Sequence, residues 1–327
     1  MKTTKRSVLA VWLVIVLAWS AVLSSPVSAA YPEKGARIIV GFPPGGVTDS
    51  IARITAKILG DTFGQPFVVE NRPGASGNIA HEMVARAPGD GYTLLFTSAP
   101  LAINPALYRN LPYDAVKDFK PITLVATVPS LLLVPANSRI EKFTDFVAFV
   151  KTNPGRLTYG SGGNGTPQHL AMEMLKSAAN LRIVHIPYKG GAPAVTDLIG
   201  GQTDVMFAAF PEVVQHVNGG RLRALAISSP ARSKVMPAVP TVAESGFPAF
   251  EAIGWQGLLA PASTPVEIVE RINAAVAAGL APVEMRNRIE AMGIEFSGAG
   301  PAAFQAFIAR EVPKWAEVVG RSGARID

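Results

Sequence analysis

Cysteine is absent from the chain. Its fold therefore rests on no disulfide and contains no cysteine-ligated metal site. An N-terminus lipidated on cysteine after export is excluded as well. Charge is sparse: Asp, Glu, Lys and Arg make up 17% of residues. They are scattered, without the basic stripe that binding to nucleic acid requires, so no nucleic-acid partner is expected. Histidine occurs four times, as His81, His169, His185 and His216. Long apolar runs are also missing beyond the first thirty residues, so no later segment is long enough to span a membrane.

The one long apolar run is informative. Lys2, Lys5 and Arg6 precede the run Val8 to Leu23, and small residues follow from Ser24 to Ala30. A positive start, an apolar centre and a small-residue cleavage region define a secretory signal peptide over residues 1–30. The mature chain is then expected to begin at Ala30 or Tyr31 and to be exported to the periplasm. Three of the six net positive charges leave with the leader. The rest is too long for a single compact core and suits two domains of about 100–150 residues each.

Short apolar runs alternate with amphipathic helices throughout, the pattern of an α/β protein. The key stretch is Arg37-Ile38-Ile39-Val40-Gly41-Phe42-Pro43-Pro44-Gly45-Gly46-Val47-Thr48-Asp49. It reads as a buried strand, a Gly/Pro loop and the start of a helix capped by Thr48 or Asp49, with Ile51, Ile54, Ile58 and Leu59 facing inward. Such a loop directs backbone N–H groups and a helix dipole at one point, where an anion can sit. Taken alone, it is equally an ordinary tight turn.

Two more strands, Pro66–Glu70 and Tyr92–Thr97, end at polar or glycine-rich loops beginning at Asn71 and Ser98. Ligands lie beyond the carboxyl ends of strands in open parallel sheets, so the three loops can share a rim. Pro129-Ser130 reads as a crossover to a second domain, and Val242–Ala260 as the return. Between them the theme recurs: strand Leu157-Thr158-Tyr159, loop Gly160–Pro167, then helix Gln168–Ala178. A second loop of the same design favours the anion-binding alternative. After Ala260 the sequence reads as helices over 265–280, 282–292 and 301–319, without a polar cluster.

Enzyme signatures fail residue by residue. After Gly165 stands Thr166, so the lysine of a phosphate loop is missing, and the dinucleotide glycine pattern fails at its third glycine. His81-Glu82 begins a zinc-protease motif, but position 85 is alanine, and both residues are expected to face solvent. No G-x-S-x-G elbow occurs. His169 follows a Gly-rich loop and is either a ligand-facing donor or a packing residue. No metal ligands and no cofactor are identified.

Six blocks then carry a resemblance: Gly41–Asp49, Glu70–Gly77, Pro88–Leu95, Tyr159–Ser161 with Gly165-Thr166 and His169-Leu170, Pro187–Gly191, and Gly201–Met206. In this order they resemble the periplasmic receptors of tripartite tricarboxylate transporters, also called Bug receptors. The resemblance implies a two-domain Venus-flytrap protein with two crossover segments and a ligand cleft between the domains. It implies domain 1 from residues 31–129 with 252–327, and domain 2 from 130–251. The implied ligand is a small organic carboxylate, a di- or tricarboxylate or an aromatic one. It would be held by Phe42, Pro44, Gly45, Gly46, Thr48 and Asp49 on one side and by Ser161, Gly165, Thr166 and His169 on the other. Ser76, Ser98 and the strand from Asp204 to Phe207 would line the rest. The helix after Asn78 departs from the family, with Ile79-Ala80-His81 where a second glycine is common. No acidic cluster marks an ammonium pocket, which favours a non-amino carboxylate.

The function expected is a non-enzymatic, monomeric receptor that hands its ligand to integral-membrane transporter subunits. The alternatives are a receptor presenting its ligand to a signalling protein and an exported α/β hydrolase.

Overall fold

The computed structural model describes residues 31–324, so the expected leader lies outside the described residues. Residues from Lys34 onward form one unit. It opens with β1 (Ala36–Val40), α1 (Val47–Phe63), β2 (Phe67–Asn71), α2 (Asn78–Ala85), β3 (Thr93–Ser98), α3 (Pro100–Leu107) and β4 (Phe119–Val128). It continues through β5 (Ser130–Pro135), α4 (Phe143–Thr152), β6 (Thr158–Ser161), α5 (Pro167–Ala179), β7 (Val184–Pro187), α6 (Gly191–Ile199), β8 (Val205–Ala209), α7 (Phe210–Asn218) and β9 (Leu222–Ile227). It returns through β10 (Gly254–Pro261), α8 (Val266–Leu280), α9 (Val283–Glu290), β11 (Glu295–Ala299) and α10 (Pro301–Ser322).

Two sheets result. One runs β11-β4-β10-β3-β1-β2 and the other β7-β6-β8-β5-β9. Within the first, β1 lies between β2 and β3, parallel to both, and Ile38, Ile39 and Val40 are fully buried. A β-branched run suits a strand covered on both faces. In the second sheet β6 is parallel to β7 and β8. Both sheets are mixed, because β10 joins β3 and β4 antiparallel, and β5 joins β8 and β9 antiparallel.

The chain passes between the sheets twice, through Pro129 and through the segment between β9 and β10. Ser130 and Ser228 tie these passages together. The Ser130 N–H donates to Ser228 Oγ at 2.9 Å, and the Ser228 N–H donates to the Ser130 carbonyl at 2.9 Å. Ala252 N–H adds a bond to the Ser228 carbonyl at 3.1 Å. All three backbone groups lie where water is scarce, so pairing them avoids a desolvation cost.

Several local expectations are corrected. The N-cap of α1 is Gly46, because Thr48 and Asp49 already have helical positions inside the first turn. Ile54 is only half-buried, and the inner face is completed by Ala52, Thr55 and Ala56. Glu295–Ala299 is a strand rather than part of a helical tail, pairing with the outer edge of β4. His81 does not face solvent. It is fully buried, with Nδ1 2.9 Å from Tyr113 Oη and Nε2 2.7 Å from Thr97 Oγ1. Burial favours the uncharged ring and lowers its pKa to about 3. No helix among the described residues is long and apolar enough to cross a membrane.

Candidate functional site

The parallel strands of both sheets direct their carboxyl ends at one cavity of about 470 Å³. Five helices begin at its wall. The lining includes Gly46, Val47 and Thr48 of α1, Ala99 and Pro100 of α3, Pro167 and Gln168 of α5, Gly191 of α6, and Ala209 and Glu212 of α7. Each helix start carries unpaired N–H groups and the positive end of a peptide dipole. Phe42, Pro43, Pro44 and Ser98 complete this rim.

The wall contributed by α1 is set from behind by Asp49. Its Oδ2 accepts from the Gly45 N–H at 3.0 Å and from Arg53 Nε at 2.9 Å, while Oδ1 accepts from Asn71 Nδ2 at 2.8 Å. Asn71 Nδ2 also donates to the Phe42 carbonyl at 3.0 Å. Gly45 has φ +87°, a left-handed backbone that glycine adopts without Cβ strain. Burial pushes the Asp49 carboxyl upward, but the bonds from Arg53, Gly45 and Asn71 outweigh it and hold the pKa below the usual value. Asp49 is thus occupied with the loop and does not line the cavity. The first helical bond of α1 is Ser50 N–H to the Gly46 carbonyl, so Val47 and Thr48 have no intrahelical acceptor for their N–H groups.

On the facing wall, the residues expected to hold the ligand hold one another. Ser161 Oγ is 2.7 Å from His185 Nε2 and accepts from the Gly163 N–H at 3.1 Å. Gly165 N–H donates to His169 Nδ1 at 3.0 Å. Thr166 caps α5, accepting from the His169 N–H, and donates its hydroxyl to the Gly163 carbonyl at 2.9 Å. The rings of His169 and His185 stack with centroids 4.2 Å apart, and Tyr159 stacks on His185 at 4.6 Å. Burial lowers the pKa of both histidines, that of His185 to about 4. Ser161, Gly165, Thr166 and His169 lie behind the wall, and the α5 start they support presents Pro167 and Gln168.

The floor is made by the two passages between sheets: Val128 and Ser130 from one, Ala252 to Gln256 from the other. Trp315 reaches it from α10, its indole N–H donating to Glu311 Oε2 at 2.9 Å. Trp255 and Gln256 differ from their neighbours, since the Trp255 Nε1 and the Gln256 Oε1 are buried without a hydrogen-bond partner. Such groups are rare in native interiors unless something else binds them.

The remaining expected residues are elsewhere. Ser76 is exposed on a turn before α2, receiving a bond from Tyr108 Oη at 3.3 Å. Asp204 precedes β8, at the end away from the cavity, where Oδ2 accepts from the N–H and hydroxyl of Thr158. Phe207 is core, stacked on Phe250 at 6.1 Å. Phe42, Pro44, Gly46, Thr48 and Ser98 are therefore the sequence-derived candidates that meet at the cavity, with Gly45 just outside its lining.

Sequence reasoning missed Glu212. It lies in the first turn of α7, open to the cleft solvent yet flanked by protein, and loss of hydration raises its carboxyl pKa. Among the described residues it is the only charged one lining the cavity, and no Lys, Arg or His is among them there. Among the described residues no cluster of three or more His, Asp and Glu is placed to hold a metal ion.

Two α/β lobes with helix starts converging on a cleft between them define the periplasmic binding protein fold. The sequence profile of the tripartite tricarboxylate transporter family receptor matches residues 51–323, and the chain belongs to that family. Protein BugT of Bordetella pertussis is similar, 38% identical over 307 residues, covering 93% of this chain and 94% of BugT. An R. palustris protein solved with adipate is 34% identical, with TM-score 0.80 over 90% of this chain and all of that one. MatC from Rhodopseudomonas palustris, solved with bound malate, is 31% identical, with TM-score 0.76 over 88% of this chain and 100% of MatC. The fold and family are those of binding receptors rather than of enzymes.

Proposed function

We propose that this chain is an extracytoplasmic receptor that captures a small organic carboxylate for uptake by a tripartite tricarboxylate transporter. The observation that carries this reading is a cavity that, among the described residues, is ringed by five helix starts and free of cationic side chains. Backbone N–H groups and helix dipoles suit a carboxylate that must be released again, since each charge-assisted bond contributes about 1.5–3 kcal/mol net. The relatives solved with adipate and malate support the same chemical class. Phe42, Pro44, Gly46, Thr48 and Ser98 would contact the ligand, with Val47, Gln168, Trp255 and Gln256 beside them.

Residues 31–129 with 252–327 and residues 130–251 would move as two domains about the Ser130–Ser228 junction, closing on the ligand. Cleavage of the leader at residue 30 would deliver a freely diffusing monomer to the periplasm, where membrane subunits receive the ligand. A catalytic role finds little support: Ser161, the one serine bonded to a histidine among the described residues, is fully buried and its hydroxyl is engaged by Gly163.

Calorimetric titration with a panel of di-, tri- and aromatic carboxylates tests the reading, with product analysis alongside. Saturable binding without turnover is expected, and turnover would contradict it. Loss of carboxylate uptake in a strain lacking the receptor is the expected sign of a transport role. Normal uptake with a lost transcriptional response would instead favour the sensor.

A further inference from the structure

The cavity carries a polar pair that the fold leaves unused. Ser98 ends β3 and Gln256 stands near the start of β10, directly opposite it in the antiparallel register. Opposed residues of such a pair share one face of the sheet, with Cβ atoms about 4.5–5.5 Å apart. Their sequence neighbours identify that face. Thr97 bonds His81 of α2, and Leu95 and Leu259 pack in one core with Phe304 of α10, so α2 and α10 cover the face on which these residues lie. Ser98 and Gln256 alternate with them and point to the other face, where α1 packs. Both line the cavity together with Val47 and Thr48 of the α1 start. Ser98 is 9% exposed and Gln256 6%. Among the described residues nothing bonds the Ser98 hydroxyl or the Gln256 amide, and Gln256 Oε1 is cut off from solvent as well.

We propose that Ser98 and Gln256 form a subsite that reads a hydroxyl group, so that the cleft selects a hydroxycarboxylate over the same carboxylate without its hydroxyl. This rests on the carboxylate reading above and narrows it. A serine hydroxyl and a carboxamide are both neutral, and each can donate and accept. A ligand hydroxyl has the same double capacity, taking a hydrogen from one of the two and giving its own to the other. A half-turn of the planar amide exchanges its oxygen and nitrogen without changing its shape, so either end can meet the ligand. A carboxylate only accepts, and at this point would leave the Gln256 oxygen bare. A methylene leaves both side chains bare. Buried polar groups without partners are costly, so a site holding two of them discriminates against a ligand that lacks the matching group.

The test is calorimetry at pH 7.5 with matched pairs: succinate and malate, glutarate and 2-hydroxyglutarate, butyrate and 3-hydroxybutyrate. In at least one pair the hydroxy compound is expected to bind about tenfold or more tightly than its parent. Gln256→Met keeps the length of the side chain and removes the amide, and Ser98→Ala removes the hydroxyl alone. Each is expected to bring the ratio within that pair close to one. Equal binding of hydroxy compound and parent in every pair by the wild type, or an unchanged ratio in both variants, would overturn the subsite and leave the carboxylate reading standing. Failure of every compound, including a broad carboxylate panel, would remove both.

Discussion

The backbone N–H of Gly165 donates to His169 Nδ1 across 3.0 Å. That bond requires an unprotonated Nδ1, so a histidine that touches no part of the cavity fixes the loop in front of it. His169→Ala leaves the buried Gly165 N–H without an acceptor, a loss of about 1–3 kcal/mol in folding stability. Urea unfolding checks the magnitude. Calorimetry is expected to show weaker ligand binding, because Pro167 and Gln168 lose their support.

Acid is expected to destabilise the fold. His81, His169 and His185 all have pKa values lowered by burial, to about 3 for His81 and about 4 for His185, against 6.5 in an exposed ring. As pH falls below 6.5 the unfolded chain takes up protons that the folded chain refuses. Their contribution to stability is therefore intact above that pH and declines beneath it, down to about 4 for His185 and about 3 for His81. Each such histidine adds about 1.4 kcal/mol per pH unit to the slope. Urea midpoints measured across pH should show a shallower slope in His81→Gln by roughly that amount.

The loops were legible because glycine, proline and hydroxyl residues punctuate them. Gly41, Ser98 and Ser161 stand at or beside the ends of β1, β3 and β6, as the composition of those stretches indicates. What could not be read was direction. Asp49 and Asp204 lie beside glycine loops or strands in sequence, yet one turns back to Gly45 and the other sits at the wrong end of β8. Phe210-Pro211 follows a buried strand without an intervening loop and looks like its end, so α7 and Glu212 passed unnoticed. The strand β11 is half-buried along most of its length and interrupted by Gly298, so no apolar run marks it, and it acquires its identity only by pairing with β4. Trp315 reaches the cavity from the last helix, a long-range contact that no local pattern encodes.

Gly45→Val is expected to weaken ligand binding roughly tenfold or more, because a β-branched residue at φ +87° carries about 1–2 kcal/mol of strain that the loop relieves by moving. Space is not the obstacle, since nothing lies within 4 Å of a Cβ there. Calorimetry with the wild-type ligand measures the loss, and circular dichroism should show the secondary structure retained.

Thr166→Val removes the α5 cap and the bond to the Gly163 carbonyl. About 1 kcal/mol of stability should be lost. A drop in affinity larger than the drop in stability would locate the effect at the helix start. An unchanged affinity would show that the α5 start does not contact the ligand.

Ser228→Ala removes the acceptor for the buried Ser130 N–H at the junction of the two passages. Folding stability should fall by about 1–3 kcal/mol. Small-angle scattering with and without ligand should show a wider spread of domain separations than in the wild type.

Four tryptophans occur in the sequence, Trp12 and Trp19 within the expected leader and Trp255 and Trp315 at the cavity. In a chain cleaved at residue 30, as proposed above, all indole fluorescence originates at the cleft wall. Trp255, with its indole N–H unbonded, should shift its emission when a ligand supplies an acceptor, while Trp315, bonded to Glu311, serves as the quieter reference. The protein carries its own optical reporter of occupancy, readable on the unlabelled chain.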